Sequence, residues 1–220
     1  MLLLANYFII ILKLSQEFEG VLMAFAKGEN PHRPRKGDSI RVDPVRSKKH
    51  IANIKKILSD KPRDLCLFTL GINTAFRANE LLAIKVGEVR YLGVGDTLTI
   101  KQRKTQKYRS VVLNDNVMES IKNYLRQTSL SDDDDLFTGL RGCLTVPTVN
   151  RLVKTWCASV GLKGNYGSHS MRKTWGYWQR QNGADILNLV EAFGHATQRQ
   201  TMAYLGLQPE DVMKLYDLNL

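Results

Sequence analysis

The spacing of apolar and polar residues predicts a chain that is mainly helical. In the segment KKHIANIKKIL, which starts at residue 48, three isoleucines and Leu58 share one face, and Ser47 stands where an N-cap is expected. The same pattern predicts a helix from Pro62 to about Asn73, with proline in its first turn, and another that starts at Asn79. Further helices are predicted near residues 115–127, 146–160, 169–182, 185–193, 197–205 and 208–217.

In the middle of the chain the apolar period changes from helical to alternating. The segments GDTLTIKQRK and YRSVVL are rich in Thr, Val and Ile, and KTQK joins them, which predicts a β-hairpin. A third strand is predicted near Glu88–Tyr91. GVG at residues 93–95 is interpreted as a turn, and the DDDD run at residues 132–135 as a solvated loop. The pattern therefore predicts an α+β fold, mainly helical, with a small three-stranded antiparallel sheet.

The first 44 residues differ in character from the rest. The apolar run LLLANYFIIIL has 11 residues, whereas a helix needs about 20 to span a bilayer. No positive charge precedes the run, which argues against a signal peptide. The segment KGENPHRPRKGDSIRVDPV follows, without apolar periodicity, and predicts a basic linker. We therefore expect an apolar helix and a linker over residues 1–44, and one domain over residues 45–220.

Composition adds a strong positive charge to this picture. The 32 Lys and Arg residues outnumber the 21 Asp and Glu residues, which gives a formal net charge of +11. Residues 27–63 hold twelve of the basic residues and four of the acidic ones. Concentrated positive charge favours a polyanionic partner, most often nucleic acid, although charge alone leaves open a basic protein without one. Three cysteines without CxxC spacing indicate reduced thiols and a cytoplasmic compartment.

The segment YGSHSMRKTW, at residues 166–175, gathers three basic side chains at the start of a predicted helix. Ser168 is a candidate N-cap, and a spacing of three places His169 and Arg172 on one helix face. An anion bound there would meet the positive end of the helix dipole together with an imidazole and a guanidinium. A solvated basic face is the alternative for this motif taken alone.

Four further motifs accompany the H-x-x-R pair. TAFRANELLAI carries Arg77 and Glu80 at a loop-to-helix junction, and the tip of the hairpin presents Lys104. FGHA brings His195 after a helix, and TMAYLG places Tyr204 nine residues beyond it. Taken singly, each has an ordinary structural explanation, such as a surface arginine at a helix start or a tyrosine packed into the core.

Together these motifs resemble the catalytic set of the tyrosine recombinase, or phage integrase, family, in the family's own order over residues 45–207. TAFRANELLAI resembles the family's G-x-R-x-x-E-L-x-x-L region. The hairpin is similar to the K-x-x-K-x-R-x-V-P-L segment of the Xer recombinases, with Val112 at the proline position. HSMRKT matches the H-x-x-R box, and FGH occupies the position of the family's usual L-G-H. The layout resembles minimal members such as the fimbrial switch invertases, and the Xer catalytic domain.

The resemblance implies a site-specific recombinase or integrase that cuts and rejoins DNA strands through a 3′-phosphotyrosine intermediate, without a metal or another cofactor. Tyr204 would be the nucleophile. Arg77 and Arg172 would bind the non-bridging phosphate oxygens, where charge develops.

The remaining site residues would hydrogen-bond the phosphate, transfer protons or orient the basic cluster. His195 and His169 would hydrogen-bond the phosphate, and His169 is also a candidate for accepting the tyrosine proton. Lys104 would protonate the leaving 5′ oxygen as general acid. Glu80 would orient the basic cluster.

The resemblance also implies a double-stranded DNA partner and a homo-oligomer, tetrameric on synapsed DNA, with no membrane. A catalytically silent DNA-binding regulator with the same fold is the main alternative, and a topoisomerase-like enzyme with similar chemistry is a third hypothesis, for which the chain is short. The first 44 residues would be the remnant of a core-binding domain, or the chain would be a naturally minimal member. Lys101 and Lys107 compete with Lys104 for the role of general acid. The predicted DNA-binding residues are Arg46, Lys48, Lys49, Lys101, Lys107 and Lys173.

Overall fold

Eight α-helices and two short antiparallel sheets make up the part of the chain that the computed structural model describes, which is residues 41–101, 108–139 and 142–206. The helices are α1 (Lys48–Ile57), α2 (Pro62–Thr74), α3 (Ala78–Leu81), α4 (Asp115–Arg126), α5 (Val146–Ser159), α6 (Ser168–Gln181), α7 (Ile186–Phe193) and α8 (Gln198–Leu205). The predicted α+β class is confirmed. The helix predicted from Asn79 is shorter than the pattern suggested.

Local capping explains where several helices begin. The Ser47 hydroxyl accepts a hydrogen bond from the His50 amide, as expected for an N-cap. Helix α6 differs from the prediction, because its N-cap is Gly167 and Ser168 is already its first residue. The Ser170 hydroxyl reaches back to accept a hydrogen bond from the Gly167 amide at 3.1 Å.

The hairpin is confirmed, but the predicted three-stranded sheet is wrong. Strands β1 (Thr97–Lys101) and β2 (Tyr108–Val112) pair antiparallel, and no third strand joins them within the described residues. The segment near Glu88–Tyr91 holds instead the end of a 3-10 turn over Val86–Glu88.

The hydrogen bonds of this segment explain the difference. The Glu88 carboxylate accepts from the Lys85 amide at 2.7 Å, while the Val86 and Gly87 amides donate to carbonyls of the acidic loop. The amides of Glu88, Val89 and Arg90 donate to the carbonyls of Lys85 and Val86, so the donors of the predicted strand are occupied within this turn and cannot join a sheet edge. The sequence pattern also missed a second, very short pair of strands, β3 (Thr138–Gly139) and β4 (Gly142–Cys143).

The acidic loop at residues 132–135 exposes Asp132 and Asp133 and partly buries Asp134 and Asp135, and it also carries two ion pairs. Arg90 contacts Asp132, and the Lys85 ammonium lies 2.8 Å from the Asp135 carboxylate. Surface pairs of this kind add about 0–1 kcal/mol each, so they fix the loop's position more than they stabilise the fold.

The buried apolar residues form two clusters. In the larger cluster, α2 packs against α4 and α6. The smaller cluster lies where α6, α7 and α8 meet, and its buried members are Ala75, Leu189, Phe193 and Leu205. Tyr204 packs against this smaller cluster. The packing of three helices therefore determines where this tyrosine lies.

Gly176 permits the close approach of these helices. A Cβ atom at this position would lie 2.5 Å from the Phe193 ring and 2.6 Å from the Leu205 side chain. Both neighbours are themselves buried, so α6 can approach α7 and α8 this closely only with glycine here.

The ends of the predicted layout fall largely outside the described residues. The amino-terminal helix and linker over residues 1–44, and the carboxy-terminal helix at 208–217, stay predictions, as does the domain boundary near residue 45. Within the described ranges, no helix combines the length and the apolar character needed to cross a membrane.

Candidate active site

The Arg172 guanidinium lies at the centre of the candidate site. It comes from the first turns of α6 and is 1% exposed. It donates hydrogen bonds to the carbonyl oxygens of Ala75 and Phe193, the latter at 2.6 Å, and lies 4.7 Å from the centroid of the Phe193 ring. Burial, with help from Arg109 and Arg77, lowers the pKa of Arg172 to about 10, so the side chain stays charged at neutral pH.

Arg77 approaches the same carbonyl from the start of α3. Its Nη1 donates to Glu80 Oε1 at 2.8 Å, and its Nη2 reaches the Phe193 carbonyl at 3.5 Å. The other Glu80 oxygen accepts from the Arg77 amide at 2.6 Å, which closes a capping arrangement around the helix start. The predicted Arg77–Glu80 unit is thus assembled by the first turn of α3. The Arg77 side chain is 34% exposed, so it is more accessible to a ligand than Arg172.

Arg109, which the sequence analysis did not single out, is a third member of the cluster. It extends from β2, and its Nη1 donates to the Ala75 carbonyl at 3.0 Å and to Glu80 at 3.3 Å. Its Nη2 donates to the Thr74 carbonyl at 3.2 Å. This arginine stands within the hairpin motif, and alternation along β2 directs it inward. Those two signals were available in the sequence.

The three arginines are held by shared acceptors. Glu80 serves Arg77 and Arg109, and the Ala75 carbonyl serves Arg109 and Arg172. Ala75 adopts a left-handed conformation with φ of 54°, which costs about 1 kcal/mol for a residue with a Cβ. Three guanidinium groups and one carboxylate leave a net positive charge, as a site for an anionic phosphodiester requires.

Tyr204 lies beside this cluster on α8. Its hydroxyl oxygen is buried and makes no hydrogen bond of normal geometry within the described residues. Burial raises the pKa of Tyr204, although the charges of Arg172, Arg77 and Arg109 act in the opposite direction. The tyrosine is therefore protonated at neutral pH and needs a base before it can act as a nucleophile.

His195 contacts the tyrosine ring. Gly194 ends α7 in the left-handed conformation, with φ of 59°, and turns the chain so that the His195 ring stacks on Phe193 with centroids 5.2 Å apart. The centroid of the Tyr204 ring lies 5.2 Å away, nearly perpendicular. Burial, followed by the charges of Arg172 and neighbouring arginines, lowers the pKa of His195 to about 4, so the imidazole is neutral at pH 7.

His169 lies in the first turn of α6, on the exposed side. Desolvation, followed by the positive charges of Arg172, Arg77 and Lys173, lowers its pKa. A neutral imidazole at physiological pH can accept a proton, which fits the predicted role of His169 as the base.

The family follows from comparison with known proteins. The model of the phage integrase family matches residues 44–211. The chain belongs to the phage integrase family. This membership supports site-specific recombination as the enzymatic function and does not favour a silent regulator.

Two curated relatives are described as a probable integrase/recombinase and as a tyrosine recombinase. This integrase is 29% identical over 178 residues to the probable integrase/recombinase YoeC of Bacillus subtilis, covering 80% of this chain and 95% of YoeC. It is 31% identical over 158 residues to the tyrosine recombinase XerC of Neisseria gonorrhoeae, covering 70% of this chain and 50% of XerC. The integrase thus spans nearly all of YoeC and about half the length of the XerC relatives.

Solved structures share its fold. The XerA recombinase superposes with a TM-score of 0.67 at 20% identity, over 83% of this integrase and 66% of XerA. XerH bound to its palindromic difH substrate, in a post-cleavage complex, gives a TM-score of 0.68 at 21% identity, over 84% of this integrase and 55% of XerH.

The predicted DNA-binding residues of the integrase occupy different environments. Lys49 and Lys101 are exposed. The Arg46 guanidinium lies 5.7 Å from the centroid of the Tyr177 ring, and the Lys48 ammonium 5.2 Å from that of Trp178. These contacts place the charged ends of both side chains against aromatic rings of α6, while both residues remain exposed. Lys107, and Lys104 with its predicted role as general acid, lie outside the described residues.

Lys173 differs from the other members of this group because it is only 7% exposed. Its ammonium lies 5.1 Å from the centroid of the Tyr204 ring, and burial lowers its pKa. The structure thus places Lys173 beside the Tyr204 ring rather than on an open surface. Its role in DNA binding stays a prediction.

Replacing Arg109 with lysine should slow DNA cleavage by on the order of 10²-fold. An ammonium keeps the charge but cannot bond the Thr74 carbonyl, the Ala75 carbonyl and Glu80 in one planar fork, so the cluster loses its alignment. Arg90→Lys is the matched control, since Arg90 pairs with Asp132 in the acidic loop. The test compares the single-turnover cleavage rates of the two variants, each measured well below its unfolding temperature. Equal rates for the two variants would remove Arg109 from the active cluster.

Proposed function

We propose that this integrase cuts and rejoins DNA at a specific site through a covalent bond between Tyr204 and a 3′ phosphate. One observation carries the proposal: Tyr204 and the arginine cluster meet at Phe193, whose ring lies 5.3 Å from the Tyr204 ring and 4.7 Å from the Arg172 guanidinium, and whose carbonyl accepts from Arg172 and Arg77. A phosphodiester that enters this cluster would have its phosphorus next to a nucleophile and its non-bridging oxygens next to cations.

In the cleavage step, Tyr204 Oη attacks phosphorus as the bond from phosphorus to the 5′ oxygen breaks. The tyrosine proton passes to a base, for which neutral His169 is the candidate. The leaving 5′ oxygen takes a proton from a general acid, for which Lys104 is the candidate. The products are a 3′-phosphotyrosine and a free 5′ hydroxyl.

The arginines would stabilise the charge that develops on the non-bridging oxygens. A guanidinium has five N–H donors, and the carbonyl contacts of Arg172 use only its two terminal nitrogens in part. Arg77, as the more exposed of the two, would meet the phosphate first. Because the carbonyls and Glu80 already hold these groups in place, little reorganisation is needed when the phosphate arrives.

Rejoining would be the reverse reaction. A 5′ hydroxyl from the same or another strand attacks the phosphotyrosine, the bond to Tyr204 Oη breaks, and the tyrosine recovers a proton. The phosphotyrosine preserves the phosphodiester's bond energy, so the step needs no nucleotide cofactor. Attack by a hydroxyl from a different duplex gives strand exchange.

Double-stranded DNA is the proposed partner. XerH is described as bound to its difH substrate, and the Tn1549 transposon integrase as bound to circular-intermediate DNA. The charge of +11 and the exposed Lys49 and Lys101 support the same class of partner here. Strand exchange between two duplexes requires several copies of the active site, so we propose a homo-oligomer, tetrameric on synapsed DNA.

Cleavage should persist in excess chelator, because the arginines supply the positive charge that a metal would bring to the phosphate. Within the described ranges, no group of three or more His, Cys, Asp or Glu residues could hold a metal ion. The substrate is a duplex from the DNA flanking the gene, nicked so that the leaving strand diffuses away after cleavage. Covalent protein–DNA product, measured with and without chelator, should form at equal rates. Loss of the product in chelator and its recovery with Mg²⁺ would overturn this mechanism.

A further inference from the structure

Thr201 contacts His195 but is not one of the groups that take part in the proposed chemistry. It lies on α8, three residues before Tyr204, and is fully buried. Its hydroxyl oxygen lies 2.8 Å from Nδ1 of His195. Two other buried threonines, Thr74 and Thr174, donate their hydroxyl protons to the carbonyl four residues earlier in their helices, at 2.8 Å and 2.7 Å. The Thr201 hydroxyl instead meets a catalytic imidazole.

We infer that Thr201 is a positioning residue, which donates its hydroxyl proton to His195 Nδ1 and so keeps the ring proton on Nε2. His195 can then donate that proton in a hydrogen bond to a non-bridging oxygen of the phosphodiester. The inference rests on the proposed function for the identity of the ligand. It adds the residue that determines which nitrogen of His195 is the donor.

The count of hydrogen-bond donors favours this direction for the contact. If Nδ1 carried the proton and donated to Thr201, the buried threonine hydroxyl would need another acceptor for its own proton. A buried polar group without a partner costs about 1–3 kcal/mol. With Thr201 as donor, its hydroxyl proton and the Nδ1 lone pair satisfy each other.

The charge state of His195 makes the tautomer decisive. A cationic imidazole would donate from both nitrogens, whichever neighbour it had. Burial and then the surrounding arginines lower the pKa of His195 to about 4, so one ring nitrogen lacks a proton at pH 7. If that nitrogen were Nε2, its lone pair would face an anionic phosphate oxygen and repel it.

The contact also couples His195 to the nucleophile. Phe193 stacks on one face of the imidazole, and the Thr201 hydroxyl holds its Nδ1 edge. Thr201 and Tyr204 are three residues apart on the same short helix. The packing of α8 therefore positions both the tyrosine and the hydroxyl that sets the histidine tautomer.

The test compares Thr201→Val, which keeps the shape but removes the hydroxyl, with Thr201→Ser, which keeps the hydroxyl. ¹⁵N NMR of the full chain at pH 7 reports the tautomer of each of the four histidines, and the signal missing from His195→Gln assigns His195. We expect the Nε2–H pattern in the wild type and in Thr201→Ser. We expect that pattern to be lost in Thr201→Val.

Cleavage of the nicked substrate should fall about 10-fold or more in Thr201→Val, with DNA affinity unchanged, and stay within about threefold of wild type in Thr201→Ser. An Nδ1–H pattern in the wild type, or an unchanged tautomer in Thr201→Val, overturns the inference, as does full cleavage by Thr201→Val. The NMR readout needs no DNA, so it stands apart from the proposed function. Absence of any covalent product with the wild type would count against the proposed function and leave the tautomer result intact.

Discussion

Replacing Tyr204 with phenylalanine should give a protein that binds DNA and forms no covalent adduct. The substitution removes only the hydroxyl that would attack phosphorus. The ring contacts with Phe193, at 5.3 Å, and with the Lys173 ammonium, at 5.1 Å, remain available, so the fold should persist. We expect adduct formation on the nicked substrate to fall below detection, because no neighbouring group can replace the nucleophile in this geometry. Denaturing gels measure the adduct, and a binding assay measures the affinity.

Tyr91→Phe is the matched control for this experiment. Tyr91 is an exposed tyrosine that donates a hydrogen bond to Asp132 in the acidic loop, away from the arginine cluster. Its loss should leave adduct formation at the wild-type level. If Tyr204→Phe formed adduct at a comparable rate, another residue would be the nucleophile.

Replacing Arg172 with alanine should reduce the cleavage rate by on the order of 10³- to 10⁵-fold, the effect expected when a guanidinium that stabilises a phosphoryl transition state is lost. The variant should also unfold at a lower temperature, because Ala75 and Phe193 lose the donor that their carbonyls share. Single-turnover rates and thermal unfolding, measured on the same preparations, separate the two effects.

Two further variants sharpen the Arg172 prediction. Arg172→Lys keeps a charge but loses the fork, so we expect cleavage between that of the alanine variant and wild type. Arg180→Ala is the control on the same helix, since Arg180 donates to the Ala184 carbonyl near the end of α6. A folded Arg172→Ala protein that cleaves at the wild-type rate would contradict the proposed role of the cluster.

The sequence predicted most helices because their starts are encoded locally. Ser47 precedes an apolar helical period and caps α1, and Pro62 occupies the first position of α2. The prediction of a third strand was wrong for a reason that no local pattern shows. The amides of Val86 and Gly87 bond to the acidic loop, which lies more than 40 residues later in the chain. A strand-like composition cannot reveal that these long-range bonds hold the residues before it in a turn, in which the amides of residues 88–90 are paired locally.

In the candidate site too, local motifs predicted some residues, whereas others depend on long-range packing. Arg77, Arg172, His195 and Tyr204 were found from motifs whose spacing suits the chemistry, and the structure gathers them. Arg109 was missed because a strand residue joins the cluster only through the packing of the hairpin against Ala75 and Glu80.

Burial was the property that the sequence could not supply. Lys173 looks like a surface lysine in its motif, yet its helix turns it beneath the Tyr204 ring. Thr201 has no distinctive signal at all, because its contact with His195 depends on how α8 docks against the end of α7.

The most direct test of the central claim is to locate the bond between the protein and DNA. The adduct trapped on the nicked substrate is digested with protease and nuclease, and mass spectrometry identifies the modified residue. We predict one nucleotide linked through its 3′ phosphate to Tyr204, in wild-type protein and in excess chelator. A linkage on another residue, or through a 5′ phosphate, would contradict the account.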